Sequence, residues 1–142
     1  MVTRGVSLRL NRLHKALERL RKYASMSLEE LEERDLLPAL EREVQVVVEA
    51  LVNLGEHVIA RMMWEAPRSY REVAVILREH GVLDSEQASK LAKLAGLRNV
   101  IVHMYAEVDY QLLHAYARSI IVDARRIASR ILKFMEERGL DP

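Results

Sequence analysis

Residues 38–63 read P-A-L-E-R-E-V-Q-V-V-V-E-A-L-V-N-L-G-E-H-V-I-A-R-M-M, and this stretch decides the fold. Val44, Val46, Val47, Val48, Leu51, Val52, Leu54, Val58, Ile59 and Met62 surround it on most sides, as on a central helix packed against several neighbours. The V-V-V at 46–48 would suit a strand on its own, but it sits inside a longer helical pattern. Asp35 and Pro38 mark the start, because proline is tolerated in a first helical turn and disruptive deeper. The polar residues left over are informative: Glu49, Asn53 and Glu56 fall at i, i+4 and i+7, with His57 beside the last. They form one narrow stripe on a buried helix, which is either a solvent-grazing edge with satisfied hydrogen bonds or a wall of a site.

Working outward, Leu8, Leu10, Leu13, Ala16, Leu17 and Leu20 give a helical stripe over about Ser7–Ala24, backed by an almost wholly basic face. Ser27 and Glu30 form a capping box that opens a short acidic helix. Downstream, Ala66 and Pro67 break the chain, Ser69 and Glu72 cap a short helix ending near Gly81, and Asp84 or Ser85 caps the next. Asp109 caps a last helix to about Arg138, stopped by Gly139, with Leu113, Tyr116, Ile120, Ala124, Ile127, Ile131 and Phe134 as its core stripe. The expectation is an all-α up-and-down bundle of four long helices plus one or two short ones, a single domain over residues 1–142.

The composition narrows the function classes. With no cysteine among 142 residues, disulfides, thiolate metal sites and a cysteine nucleophile are excluded. The longest run free of Asp, Glu, Lys and Arg is eight residues, far short of a membrane span, and no signal peptide is readable, so a soluble cytoplasmic protein is expected. Net charge is only +1, but residues 1–25 hold seven Lys or Arg against one Glu while residues 26–50 hold eight acids against two Arg. Either two adjacent helices neutralise each other or the basic arm is open to a polyanion.

Residues 96–105, G-L-R-N-V-I-V-H-M-Y, place an arginine, an asparagine, a histidine and a tyrosine among aliphatic neighbours. A guanidinium entering an apolar surface requires a carboxylate, phosphate or carbonyl partner, and Glu49 is a candidate for Arg98, with Asn53 beside it. On an ideal helix Arg98 and Tyr105 share the apolar arc, whereas His103 lies about 140° from Arg98. Bringing the pair together needs a helix break near Gly96–Asn99, a curled Arg98 side chain or two subunits; a break together with a dimeric site is expected. Histidine transfers protons near neutral pH and arginine stabilises charge on a phosphoryl oxygen, which together suffice for metal-free RNA cleavage through the 2′-hydroxyl. The second proton-transfer group could be water, Tyr105 or the His103 of another subunit. No histidine spacing suggests a metal, and no cofactor is expected.

The ordered string R-N-x-x-x-H-x-Y in a chain of this length resembles the HEPN superfamily of small helical proteins, and in particular the HepT-type toxins of toxin–antitoxin pairs. The likeness covers nearly the whole chain: E-A-L-V-N-L-G-E-H-V-I-A at 49–60, S-Y-R-E-V at 69–73, the string itself and the following Asp109. The resemblance implies a metal-independent endoribonuclease whose active site forms at a homodimer interface. Arg98 and His103 match the family's catalytic pair, and Asn99 the polar residue beside the arginine. Tyr105 matches the tyrosine that a cognate minimal nucleotidyltransferase antitoxin modifies with AMP, adding bulk and negative charge where an RNA phosphate must sit. Two other readings stay open: a non-catalytic nucleotide-binding or adaptor module that partners a nucleotidyltransferase, and a helical dimer in which Arg98 and His103 close a hydrogen-bond network.

Overall fold

A computed structural model describes the backbone of residues 4–103 and 108–140, and the side chains of 7–99 and 108–140. Within these residues lie six helices and no strand: α1 (Arg4–Ala24), α2 (Leu28–Glu33), α3 (Leu37–Arg61), α4 (Tyr70–Glu79), α5 (Ser85–His103) and α6 (Tyr110–Glu137). Four are long and two are short, as the periodicity predicts. The near-continuous apolar surface of α3 has its cause in the packing, since α3 touches α1, α4, α5 and α6. Val44, Val47, Val48, Leu51, Leu54 and Val58 of α3 are fully buried. Each such side chain removed from water contributes about 1.5–3 kcal/mol, so α3 is the axis of the core. Gly55 sits where α4 crosses it: a Cβ there would stand 3.0 Å from Leu77 Cδ1 and from Val73 Cγ1.

The helix ends follow the local chemistry. Ser27 Oγ accepts from Glu30 N (3.1 Å), Ser69 Oγ from Glu72 N (3.1 Å), Asp84 Oδ1 from Gln87 N (2.8 Å) and Asp109 Oδ1 from Leu112 N (3.0 Å). At the other ends one device recurs four times. Asp35, Met63, Gly81 and Gly139 take positive φ (56°, 58°, 76°, 62°). The next residue's N–H then reaches back to the carbonyl five residues earlier: Leu36 to Leu31 (2.8 Å), Trp64 to Ile59 (3.1 Å), Val82 to Leu77 (2.9 Å), Leu140 to Met135 (2.9 Å). Glycine meets that requirement without strain at two of these stops and a bulkier residue meets it at the other two.

Three expectations need correction. α5 runs unbroken from Ser85 to His103, so there is no break at Gly96–Asn99. One helical glycine costs only about 1 kcal/mol, and the burial of Leu91, Leu94 and Ala95 on neighbouring helices outweighs it. Tyr116 is 55% exposed, because Ala117 takes the core position and turns its neighbour outward. Leu8, expected in the α1 stripe, is 61% exposed, and α1 itself starts at Arg4.

The charge split along the first fifty residues becomes contacts between α1 and α3: Arg19 Nε donates to Glu43 Oε2 at 2.8 Å, and Arg12 Nη2 stands 3.8 Å from Glu49 Oε2. Among the described residues no helix is long and apolar enough to cross a membrane.

Candidate active site

No fully buried side chain among the described residues is polar, so every polar contact lies at the rim of the core. The densest such rim is the α3 stripe. Arg98 leaves α5 with its side chain only 21% exposed, and Nη2 donates to Glu49 Oε1 at 3.4 Å. Its guanidinium carbon stands 4.8 Å from the centre of the Tyr70 ring, at the first turn of α4. Arg98 is thus held between α3 and α4. At 3.4 Å its hydrogen bond is longer than the roughly 2.7–2.9 Å of a strong charge-assisted one, so Glu49 orients the guanidinium without saturating it. Nε of Arg98 is buried and has no hydrogen-bond partner among the described residues.

Glu49 is a junction. Besides Arg98 it accepts from Gln45 Nε2 at 3.2 Å, and Arg12 approaches its second oxygen at 3.8 Å. With the Asn53 amide in the orientation that satisfies both neighbours, Nδ2 donates to Glu56 Oε1 (3.0 Å) and Oδ1 accepts from Arg12 Nη1 (3.0 Å). Glu49, Asn53 and Glu56 therefore form one polar wall that links α5 through α3 to α1. Two guanidinium groups share the single Glu49 carboxylate. At the far end, burial pushes the Glu56 carboxyl above its ordinary value. Burial, and then the charges of Arg9 and Arg61, hold the His57 imidazole below its ordinary value, so it is neutral at pH 7.

The site residues expected from sequence thus divide. Arg98, Glu49 and Asn53 fall into one connected network, while Asn99, next in the chain, is exposed. The backbone of His103 closes α5, but its side chain, and Tyr105 altogether, lie outside the described residues. Arg12, Gln45 and Tyr70 were not singled out beforehand. Arg12 was legible only as one of seven basic residues near the N-terminus, and Tyr70 only as part of S-Y-R-E-V. Among the described residues no group of three His, Asp or Glu side chains could hold a metal ion.

An all-helical bundle whose penultimate helix carries Arg98 and runs to His103 has the fold of a HEPN toxin. More narrowly, the chain belongs to the HepT-like ribonuclease family, whose model matches residues 13–131. It is 27% identical over 107 residues to the tRNA nuclease HepT of Aphanizomenon flos-aquae, spanning 73% of this chain and 71% of that one. It is 26% identical over 70 residues to the mRNA nuclease HepT of Shewanella oneidensis, spanning 49% of this chain and 53% of the relative. The fold superposes on a tri-AMPylated Shewanella oneidensis HEPN toxin in complex with MNT antitoxin, with a TM-score of 0.83 at 17% identity, covering 92% of this chain and 98% of that one. It also superposes on a cytosolic protein of unknown function from Bacillus subtilis, with a TM-score of 0.78 at 22% identity over 96% and 93% of the two chains.

Proposed function

We propose that this protein is the toxin of a toxin–antitoxin pair, a metal-independent endoribonuclease that acts as a homodimer in the cytoplasm. The observation that carries the reading is the state of Arg98: partly buried, oriented by Glu49 and Tyr70, and held to its carboxylate by a single long contact of 3.4 Å. In the proposed reaction His103 takes the proton of an RNA 2′-hydroxyl, and the 2′-oxygen attacks the adjacent phosphorus. The bond to the 5′-oxygen of the next nucleotide breaks, leaving a 2′,3′-cyclic phosphate and a 5′-hydroxyl. That leaving oxygen collects its proton from water, Tyr105 or the partner subunit's His103. Arg98 stabilises the charge that builds on the phosphoryl oxygens. Asn99 hydrogen-bonds the substrate beside it, and Glu49 and Asn53 support the arginine from α3.

Regulation follows from Tyr105 as the acceptor of AMP from a nucleotidyltransferase antitoxin, since each adenylate adds negative charge where RNA phosphates must bind. Support comes from the two HepT nucleases and from the tri-AMPylated toxin whose fold this chain shares. Purified protein should cleave total RNA in EDTA, and Arg98→Ala and His103→Ala variants of unchanged helicity should not. Mixing the two inactive variants should restore part of the activity if each site draws on two subunits. Cleavage that survives both substitutions, or that vanishes in EDTA alone, overturns this reading.

A further inference from the structure

One surface of the molecule is built like a nucleic-acid groove and is continuous with the site. Between α1 and α3 runs an open cleft of about 560 Å³ lined by Leu8, Arg9, Arg12, Asn53, Glu56 and His57. Arg12 stands at its mouth with half of its side chain (49%) exposed. Two contacts fix its guanidinium, Nη1 on Asn53 Oδ1 at 3.0 Å and Nη2 at 3.8 Å from Glu49 Oε2. A guanidinium has five N–H donors, so these two contacts leave the others open toward the cleft. An arginine already held in place also loses little side-chain freedom when an anion arrives.

Glu49 is contacted by Arg12 on one oxygen and by Arg98 on the other, so the two cations flank a single carboxylate. The cleft's one acid, Glu56, is tied into the wall by a hydrogen bond from Asn53, and Arg9 lines the same cleft beside Arg12. An anion lying along this wall therefore meets two oriented arginines in succession, Arg12 and then Arg98.

We infer that the α1–α3 cleft is the path of the RNA strand next to the scissile phosphate, with Arg12 as a backbone-phosphate contact adjoining the one at Arg98. This rests on the RNA-cleaving reading for the class of ligand, but it concerns binding and is measured apart from cleavage. A phosphate contact carries affinity and register without sequence information, so Arg12 serves any base.

The probe is a single-stranded RNA oligonucleotide of mixed sequence with 2′-O-methyl groups throughout, which the 2′-hydroxyl reaction cannot cut. Its affinity is measured across a salt series for the wild type and three variants of unchanged helicity. Arg12→Gln should weaken binding about tenfold at low salt and reduce the slope of log K against log [salt] by about 0.7, the signature of one lost phosphate contact on a single strand. Glu49→Gln removes the link through which Arg12 could act on Arg98 while taking away a negative charge. It loosens both arginines but keeps their charges, so affinity can fall while the salt slope stays at least that of the wild type. Arg118→Gln, on the separate α1–α6 surface where Arg21, Arg118 and Arg125 gather, should leave both quantities unchanged. A slope lost in Glu49→Gln as in Arg12→Gln would reduce Arg12 to a structural prop and overturn the inference. So would an unchanged slope in Arg12→Gln, a slope lost in Arg118→Gln instead, or a wild type that does not bind the probe. A wild type that binds through Arg12 yet never cuts natural RNA would uphold the path and overturn the nuclease reading.

Discussion

Glu49→Gln isolates what the carboxylate does for Arg98, because it keeps the shape of the side chain and removes only the charge. Two terms bear on its magnitude. The Arg98–Glu49 pair has both side chains 21% exposed and a contact of 3.4 Å, between an exposed ion pair worth 0.2–1 kcal/mol and a hydrogen bond to a charged group worth about 1.5–3 kcal/mol. The Arg12–Glu49 contact is longer, at 3.8 Å, with Arg12 half exposed, and adds at most a few tenths. The sum is a destabilisation of about 1–2 kcal/mol. Part of the restraint on Arg98 survives, since the Tyr70 ring still lies 4.8 Å from its guanidinium carbon and contributes about 0.5–1 kcal/mol. Urea denaturation at two salt concentrations, with Glu49→Gln, Arg98→Gln and the double variant, gives the coupling energy directly. We expect about 1 kcal/mol of coupling, weaker in high salt, with cleavage slowed through kcat because a loosened arginine stabilises the transition state less well. Coupling below about 0.3 kcal/mol would show the contact to be incidental and would refute the positioning role.

Two further outcomes follow from the helix ends and the α3 stripe. Met63 takes φ 58° and is 89% exposed, so Met63→Gly relieves a left-handed strain of about 1–2 kcal/mol without removing a buried contact; thermal unfolding should shift upward, and a lower midpoint would mean that Met63 has a partner to lose. The folded-state pKa of His57 lies below 6.5, so as pH falls through 6.5 the unfolded chain takes up a proton that the folded chain resists, and stability declines until the folded pKa is passed. His57→Gln should flatten the part of the pH–stability curve between neutrality and that lowered value, and a curve with the wild-type slope there would assign the proton uptake to another group.

The bundle was legible because its rules are local. Ser27, Ser69 and Asp109 stand where capping chemistry puts them, Gly81 and Gly139 where a left-handed stop is needed, and the apolar surround of α3 marks the central helix. The same local reasoning reached the Glu49–Arg98 pairing, since a charged residue on a buried helix calls for a counter-charge on a facing one. It failed where two answers satisfied the period. Tyr116 and Ala117 both fit the α6 stripe, and only the space beneath α6 selects the smaller. Arg12 stayed hidden for another reason: seven basic residues share the N-terminal segment, and nothing in their order tells which one meets Asn53 and Glu49.

The error over Gly96 is the most instructive, because it alters how the proposed catalytic pair can work. Three routes were available for joining Arg98 to His103: a broken helix, an arginine curled round its own helix, or two subunits. α5 continues through Gly96 to His103, which removes the first. The second requires Arg98 to leave Glu49 and the face of Tyr70, giving up both contacts that orient it. On an unbroken helix positions 98 and 103 remain about 140° apart around the axis, so an arginine held against α3 and α4 shares a phosphate most readily with the histidine of a second copy. Continuity of the helix, which first looked like an obstacle to the chemistry, thereby becomes the strongest physical argument for the homodimeric site we propose. In that proposal, the contacts that orient Arg98 within its own subunit are the reason the histidine is drawn from a second copy.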